Sequence, residues 1–126
     1  MEWRVEYLED YHIVELFMIG PITGQDLKGS LADRLALGRE KGVTDFIINA
    51  EELIAQHKAI VDILNLPGKE YLKENMERES RLAVLVPKDP KSVWIAEFYE
   101  TVCINRGWKV HICSDHASAV RWLLDK

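Results

Sequence analysis

Residues 81–124 read RLAVLVPKDPKSVWIAEFYETVCINRGWKVHICSDHASAVRWLL. Two short apolar runs stand in this stretch, and each is followed by a signal that starts a helix. Arg81 to Val86 predicts a strand, ended by Pro87. Asp89-Pro90 then opens a helix, with Asp as N-cap and Pro at the first helical position, where a missing N–H costs nothing. That helix is expected to run to about Arg106, with Gly107 closing it. Trp108 to Cys113 predicts the next strand, and Ser114-Asp115 caps a last helix ending in Trp122-Leu123-Leu124. A strand–helix–strand–helix order in so few residues calls for parallel strands joined by crossovers.

Working back toward the N-terminus, the hydrophobic period alternates in the same way. Residues 3–8 and 12–19 alternate with period two and are separated by Glu9-Asp10-Tyr11, which predicts an antiparallel hairpin. Gly20-Pro21 is expected to stop the second strand. Residues 24–41 switch to period 3.6, with Leu27, Leu31 and Leu35 on one face and Lys28, Asp33, Arg34, Arg39 and Glu40 off it. Thr23 is the expected N-cap and Gly42 the left-handed stop. Residues 43–50 predict a third strand, and 57–66 with 68–79 a helix broken near Pro67-Gly68. The expected order is ββαβαβαβα: an α/β fold with a mixed, mostly parallel, five-stranded sheet in one domain over residues 1–126.

The strands also say which face is covered. Trp108, Val110 and Ile112 oppose Lys109, His111 and Cys113. Leu82, Val84 and Val86 oppose Arg81, Ala83 and Leu85, and Thr44, Phe46 and Ile48 oppose Asp45, Ile47 and Asn49. Strands buried on both sides of a doubly wound sheet read as unbroken apolar runs. Here each pattern keeps a more polar half, so helices are expected mainly on one face, as one layer, with the second face only partly covered.

Composition bounds the function. The chain has 126 residues, 48% of them hydrophobic and 29% charged, with a net charge of -5, so a folded core is expected and disorder is not. The acidic balance with scattered Lys and Arg lacks the basic footprint of a nucleic-acid binder. No apolar run approaches the roughly 18 residues of a membrane span, and the opening residues lack the apolar core of a signal peptide. Cys103 and Cys113 do not make a disulfide framework, so a reduced, cytoplasmic protein is expected.

The order of elements resembles the STAS family, the anti-sigma-factor antagonist or SpoIIAA-like fold that Sec14-type lipid-transfer domains share. Phe98, Gly107, Trp108, Val110, Asp115, Ala119 and Trp122-Leu123 look like the helix–strand–helix ending of small bacterial STAS and Sec14-like proteins. These are packing and capping positions, so they carry fold rather than function. The resemblance implies a strand–helix superhelix of four turns. STAS antagonists also carry a phosphorylatable serine after the third strand. This chain reads Ala50-Glu51-Glu52-Leu53-Ile54-Ala55-Gln56-His57-Lys58 there, with no hydroxyl to take a phosphate. Glu51 and Glu52 either imitate a permanently charged state or simply favour a helix start.

No assembled catalytic, cofactor or metal set is visible. Cys113-x-x-His116 lacks the second ligand pair zinc needs, although a thiolate at a helix start would be reactive. Gly20-Pro21-Ile22-Thr23-Gly24 lacks the lysine and spacing of a phosphate loop. Fold physics places any ligand at the carboxyl ends of the strands. The candidate ligand or partner edge there is Asn49, Glu51, Glu52, His57, Asp89, Asp115 and His116. Trp94, Phe98 and Tyr99 widen one helix face into a candidate contact surface, the alternative being core packing.

Two functions follow as expectations. The first is a non-catalytic regulatory or protein-binding domain, contacting another protein or a second copy of itself, with no cofactor. The second is a carrier of a small apolar, lipid-like ligand in a Sec14-like pocket, whose mark would be a cavity of roughly 300 Å³ or more lined by Phe, Leu and Trp.

Overall fold

The computed structural model describes residues 2–125. Strands β1 (Glu2–Leu8) and β2 (Ile13–Pro21) form the hairpin, turning where Leu8 O accepts from the amides of Tyr11 and His12. Helix α1 (Gly24–Lys41) begins at Thr23, which exchanges side-chain and backbone hydrogen bonds with Asp26, and it ends at Gly42 with φ 67°. After β3 (Asp45–Asn49) comes a two-residue strand, β4 (Leu53–Ile54), which makes the sheet six-stranded rather than five-stranded. β4 pairs with the last residues of β2, Gly20 against Leu53 and Pro21 against Ile54, so Gly20-Pro21 continues the strand instead of stopping it.

The segment after β4 departs most from expectation. A 3-10 turn (His57–Ala59) leads into α2 (Ile60–Asn65), a π-helical turn (Leu66–Glu70) and the short α3 (Tyr71–Lys73). Pro67 does not break the helix, because it sits at the first turn of the π segment, where its missing donor falls among groups the widened turn leaves unpaired. The Pro67 carbonyl accepts instead from the Trp108 indole at 2.8 Å. Residues 74–79 are not helical, and the chain turns away through Asn75 at φ 56°. The remaining elements follow the expected pattern: β5 (Arg81–Leu85), α4 (Pro90–Asn105), β6 (Lys109–Cys113) and α5 (His116–Leu124).

The sheet runs β1-β2-β3-β5-β6, antiparallel at β1/β2 and parallel elsewhere. Each parallel crossover therefore steps in one direction. Crossovers share one hand, so the helices that make them, α1, α2 with α3, and α4, must lie on one face. The main core sits there: Val14, Leu16 and Met18 of β2, Phe46 of β3, Leu82 and Val84 of β5 and Val110 of β6 face Leu27, Leu31 and Leu35 of α1 with Tyr71, Ile95 and Tyr99. Full burial of each large apolar side chain contributes about 1.5–3 kcal/mol. Gly38 lets α1 approach closely, since a Cβ there would meet the Phe46 ring at 2.8 Å.

Helices thus lie mainly on one face, but they are not a single layer. α5 packs on the other face against β3, β5 and β6, with Ala119 and Leu123 meeting Ile13, Ile47, Ala83, Leu85 and Cys113. The physical reason is that α5 returns to no further strand, so crossover handedness does not constrain it.

Candidate functional site

Beneath α1, α2 and α4, over the carboxyl halves of β2, β3 and β5, the main core leaves a cavity of about 80 Å³. Its walls are almost wholly apolar, with Leu16, Met18, Leu31, Ile63, Val84 and Ile95 among them, and each of these is buried. It is smaller than the roughly 300 Å³ expected of a drug-sized ligand site, and neither Phe nor Trp lines it. The short pieces α2 and α3, with the π turn between them, form part of its roof. That roof is pinned at one point, where Trp108 donates to Pro67 and packs edge-on against Tyr71, ring centroids 5.5 Å apart.

Five side chains that carry polar groups line the cavity: Ser30, Arg34, Tyr71, Ser92 and Tyr99. The two serines are spent locally. Ser30 donates to Leu27 O, and Ser92 donates to Asp89 while accepting from the Ala55 amide. The Tyr71 and Tyr99 hydroxyls bond to each other. Burial pushes the Tyr71 phenol up to about 12, against the opposing pull of the Arg34 charge, and raises Tyr99 as well. Arg34, expected off the apolar face of α1, is 2% exposed. Its guanidinium carbon lies 5.1 Å from the Phe46 ring centroid and 5.4 Å from that of Tyr71, and one nitrogen lies 3.8 Å from Met76 Sδ.

The opposite face holds a different polar group. Glu15, in the middle of β2, is 1% exposed. Its Oε1 lies 2.7 Å from His116 Nε2 at the start of α5, and its Oε2 accepts from Asn49 Nδ2 at 3.0 Å. Asn49 Oδ1 in turn accepts from the Glu51 amide at 3.2 Å, which holds the turn after β3. Two of the edge residues expected from sequence, Asn49 and His116, are therefore brought together by a residue that sequence reading missed. One signal was available: Glu15 is a lone acid on a strand face whose other members are Ile13, Phe17 and Ile19. Its partner, 101 residues away, was not legible.

The remaining candidates disperse. Glu51 and Glu52 start no helix; they form the turn before β4, and Glu52 pairs with Lys88 at 2.6 Å, which raises the Lys88 ammonium. Asp89 accepts from the Ser92 hydroxyl instead of a helix amide. Asp115 accepts from the Ser118 amide as the cap of α5, and that bond lowers its carboxyl. His57 is exposed and shares a shallow surface recess with Trp94. The aromatic surface splits: Tyr99 is core, whereas Trp94 and Phe98 are 59% and 44% exposed and stack with ring centroids 5.7 Å apart.

Cys113 is not activated. Burial raises its thiol, and it packs into the α5 cluster while His116 turns to Glu15. Burial also lifts Cys103 to about 12. Both are free thiols. Among the described residues, no three His, Cys, Asp or Glu side chains gather to hold a metal ion, and no helix is long and apolar enough to cross a membrane.

No protein-family profile matches the chain, and no curated protein does. Among solved structures it is similar to an uncharacterized protein of the DUF3478 family with a SpoIIAA-like fold, from Shewanella loihica PV-4. The likeness has a TM-score of 0.58 at 18% identity and covers 97% of this chain and 92% of that one. The fold of this chain is SpoIIAA-like, as the order of its elements implies.

Proposed function

We propose that this domain is a non-catalytic binding module whose interior cavity takes a small apolar ligand. The observation that carries the reading is the almost wholly apolar void of about 80 Å³ under the crossover helices. Protein interiors are packed to crystal-like density, and a void larger than one water forgoes dispersion contacts that a ligand would restore. A roof built from the short helical pieces 57–73 gives a route of entry, since such pieces open at lower cost than long helices. A non-catalytic role is supported by the isolation of the Glu15–His116 pair. It faces away from the cavity, and among the described residues no hydroxyl or thiol is hydrogen-bonded to it.

The test is thermal unfolding with dissolved benzene or xenon, in the parent chain and in Val84→Phe, which fills the void. The parent is expected to melt higher with either probe, and the filled variant to show no response. An equal response in both would contradict the reading.

A second reading, contact with a protein partner or a second copy, is favoured by the exposed Trp94–Phe98 stack on α4. Without a hydroxyl between Ala50 and Lys58, such a contact would not be switched by phosphate on that turn. Sedimentation of the parent and of Trp94→Ala/Phe98→Ala tests self-association. A parent that is monomeric at every concentration would remove the second-copy version.

A further inference from the structure

We propose that Arg34 makes the cavity a receptor for a monocarboxylate with a short apolar tail, the guanidinium taking the carboxylate and the surrounding Leu, Ile and Met side chains taking the tail. This rests on the cavity being a ligand site and names the class of ligand it takes. Three observations carry it.

First, Arg34 is a buried charge that lines the void, at 2% exposure. Removing a guanidinium from water costs several kcal/mol, and arginine cannot shed its proton to avoid that cost.

Second, nothing in the protein supplies the counter-charge. Among the described residues no carboxylate lies within 4.0 Å of the guanidinium, whose neighbours are the Tyr71 hydroxyl, two aromatic rings and a thioether. The acidic groups that do surround it, the Tyr71 and Tyr99 phenols and the Cys103 thiol, are all raised by burial and stay neutral. Ring faces and sulfur offset part of the desolvation, but they are weak acceptors for a group with five donors.

Third, the tyrosine pair has one hydroxyl hydrogen that no oxygen takes, its further partner being the Cys103 sulfur, a weak acceptor. Of two hydroxyls bonded to each other, one gives its hydrogen to the other and the second keeps its own. A carboxylate seated on Arg34 would accept that hydrogen with a lone pair the fork does not use. The rest of the lining is apolar and its serines are committed, so a ligand with a second polar group would lose hydration without return. One anionic head and one short hydrocarbon tail is the chemistry that fits.

Calorimetric titration of the parent chain with butyrate, hexanoate, hexan-1-ol and hexyl phosphate tests this, alongside Arg34→Met and Tyr99→Phe. Hexanoate or butyrate is expected to bind most tightly. Arg34→Met should weaken the acid roughly tenfold to hundredfold and leave the alcohol unchanged. Tyr99→Phe should weaken the acid by a smaller factor, and it keeps the test open if Arg34→Met does not fold. An alcohol that binds the parent as well as the acid, or an acid indifferent to both substitutions, would overturn the inference while leaving an apolar ligand site standing. Tighter binding of hexyl phosphate would overturn the carboxylate assignment. No binding by any of the four, together with no benzene response, would remove the ligand site itself.

Discussion

The most deeply buried ionisable side chains, Glu15 and Arg34, lie on opposite faces of the sheet, and the two faces treat them differently. On the α5 face Glu15 is 1% exposed and carries both a histidine and an amide partner within 3.0 Å. On the crossover face Arg34 is 2% exposed and meets rings, a sulfur and the Tyr71 hydroxyl, with no carboxylate among the described residues within 4.0 Å. The apolar surroundings differ in the same sense. Ile13, Ile47, Ala83, Leu85, Ala119 and Leu123 close around one another on the α5 face, whereas the larger core across the sheet leaves a void. A buried ion with all its partners is a structural device, fixing where α5 lands. A buried ion without a counter-charge, at the wall of a cavity, is what an anion would complete. Burial alone does not separate the two; what separates them is that Arg34 has no counter-charge and stands beside empty space.

The comparison is broken most severely at the α5 face, where a few residues hold the helix. Leu123→Ala, at a fully buried position, is expected to cost about 2–5 kcal/mol in a denaturant titration. A cost under about 1 kcal/mol would mean that α5 contributes little to the fold.

His116→Ala leaves Glu15 buried with only Asn49, and a lost hydrogen bond to a charged group costs roughly 1.5–3 kcal/mol. Since His116 is about half exposed, water will replace part of it, which favours the low end. Arg34→Met, by contrast, is expected to melt no lower than the parent, because replacing a buried ion that has no counter-charge by a packed apolar chain is neutral or stabilising. If both substitutions destabilised equally, Arg34 would be a structural residue like Glu15, and the difference between the faces would vanish.

The smallest effect is at the surface cap of α5. The backbone amide of Ser118 holds the Asp115 carboxyl below its ordinary value. A group whose folded-state value is depressed stabilises above its unfolded value and loses that contribution as pH falls through the folded one. Asp115→Ala should therefore lower stability at neutral pH and flatten the loss below about pH 4. An unchanged acid limb in the variant would show that the cap contributes nothing there.

Much of the fold was legible because sheet periodicity assigns faces one residue at a time. Leu82, Val84 and Phe46 fall in the main core and Ala83, Leu85 and Ile47 in the α5 cluster, as alternation requires. β4 was not legible, since two residues cannot display a period. The π turn at Pro67 was not, because proline inside an apolar run ordinarily signals a break, and only the indole of Trp108, distant in sequence, makes the alternative tenable. The side of the sheet that α5 takes could not follow from the crossover rule, which governs only helices between parallel strands.

The site was legible in part. Asn49 and His116, both expected on the strand-end edge, each bond to Glu15. Arg34 was placed off the apolar face by its charge, although it stands three residues after Leu31 and seven after Leu27, both of which are helical same-face spacings. A charge on that spacing is a signal, but whether it has a partner depends on contacts from β3 and the loop at Met76, which no local pattern contains.

The most direct test of the central claim is a methyl NMR titration of the parent chain with sodium hexanoate. Methyls of Leu31, Val84 and Ile95 around the void are expected to shift together and to saturate, while those of Ala119 and Leu123 under α5 stay still. Shifts confined to α5, or to the surroundings of Trp94 and Phe98 on the outer surface, would contradict it.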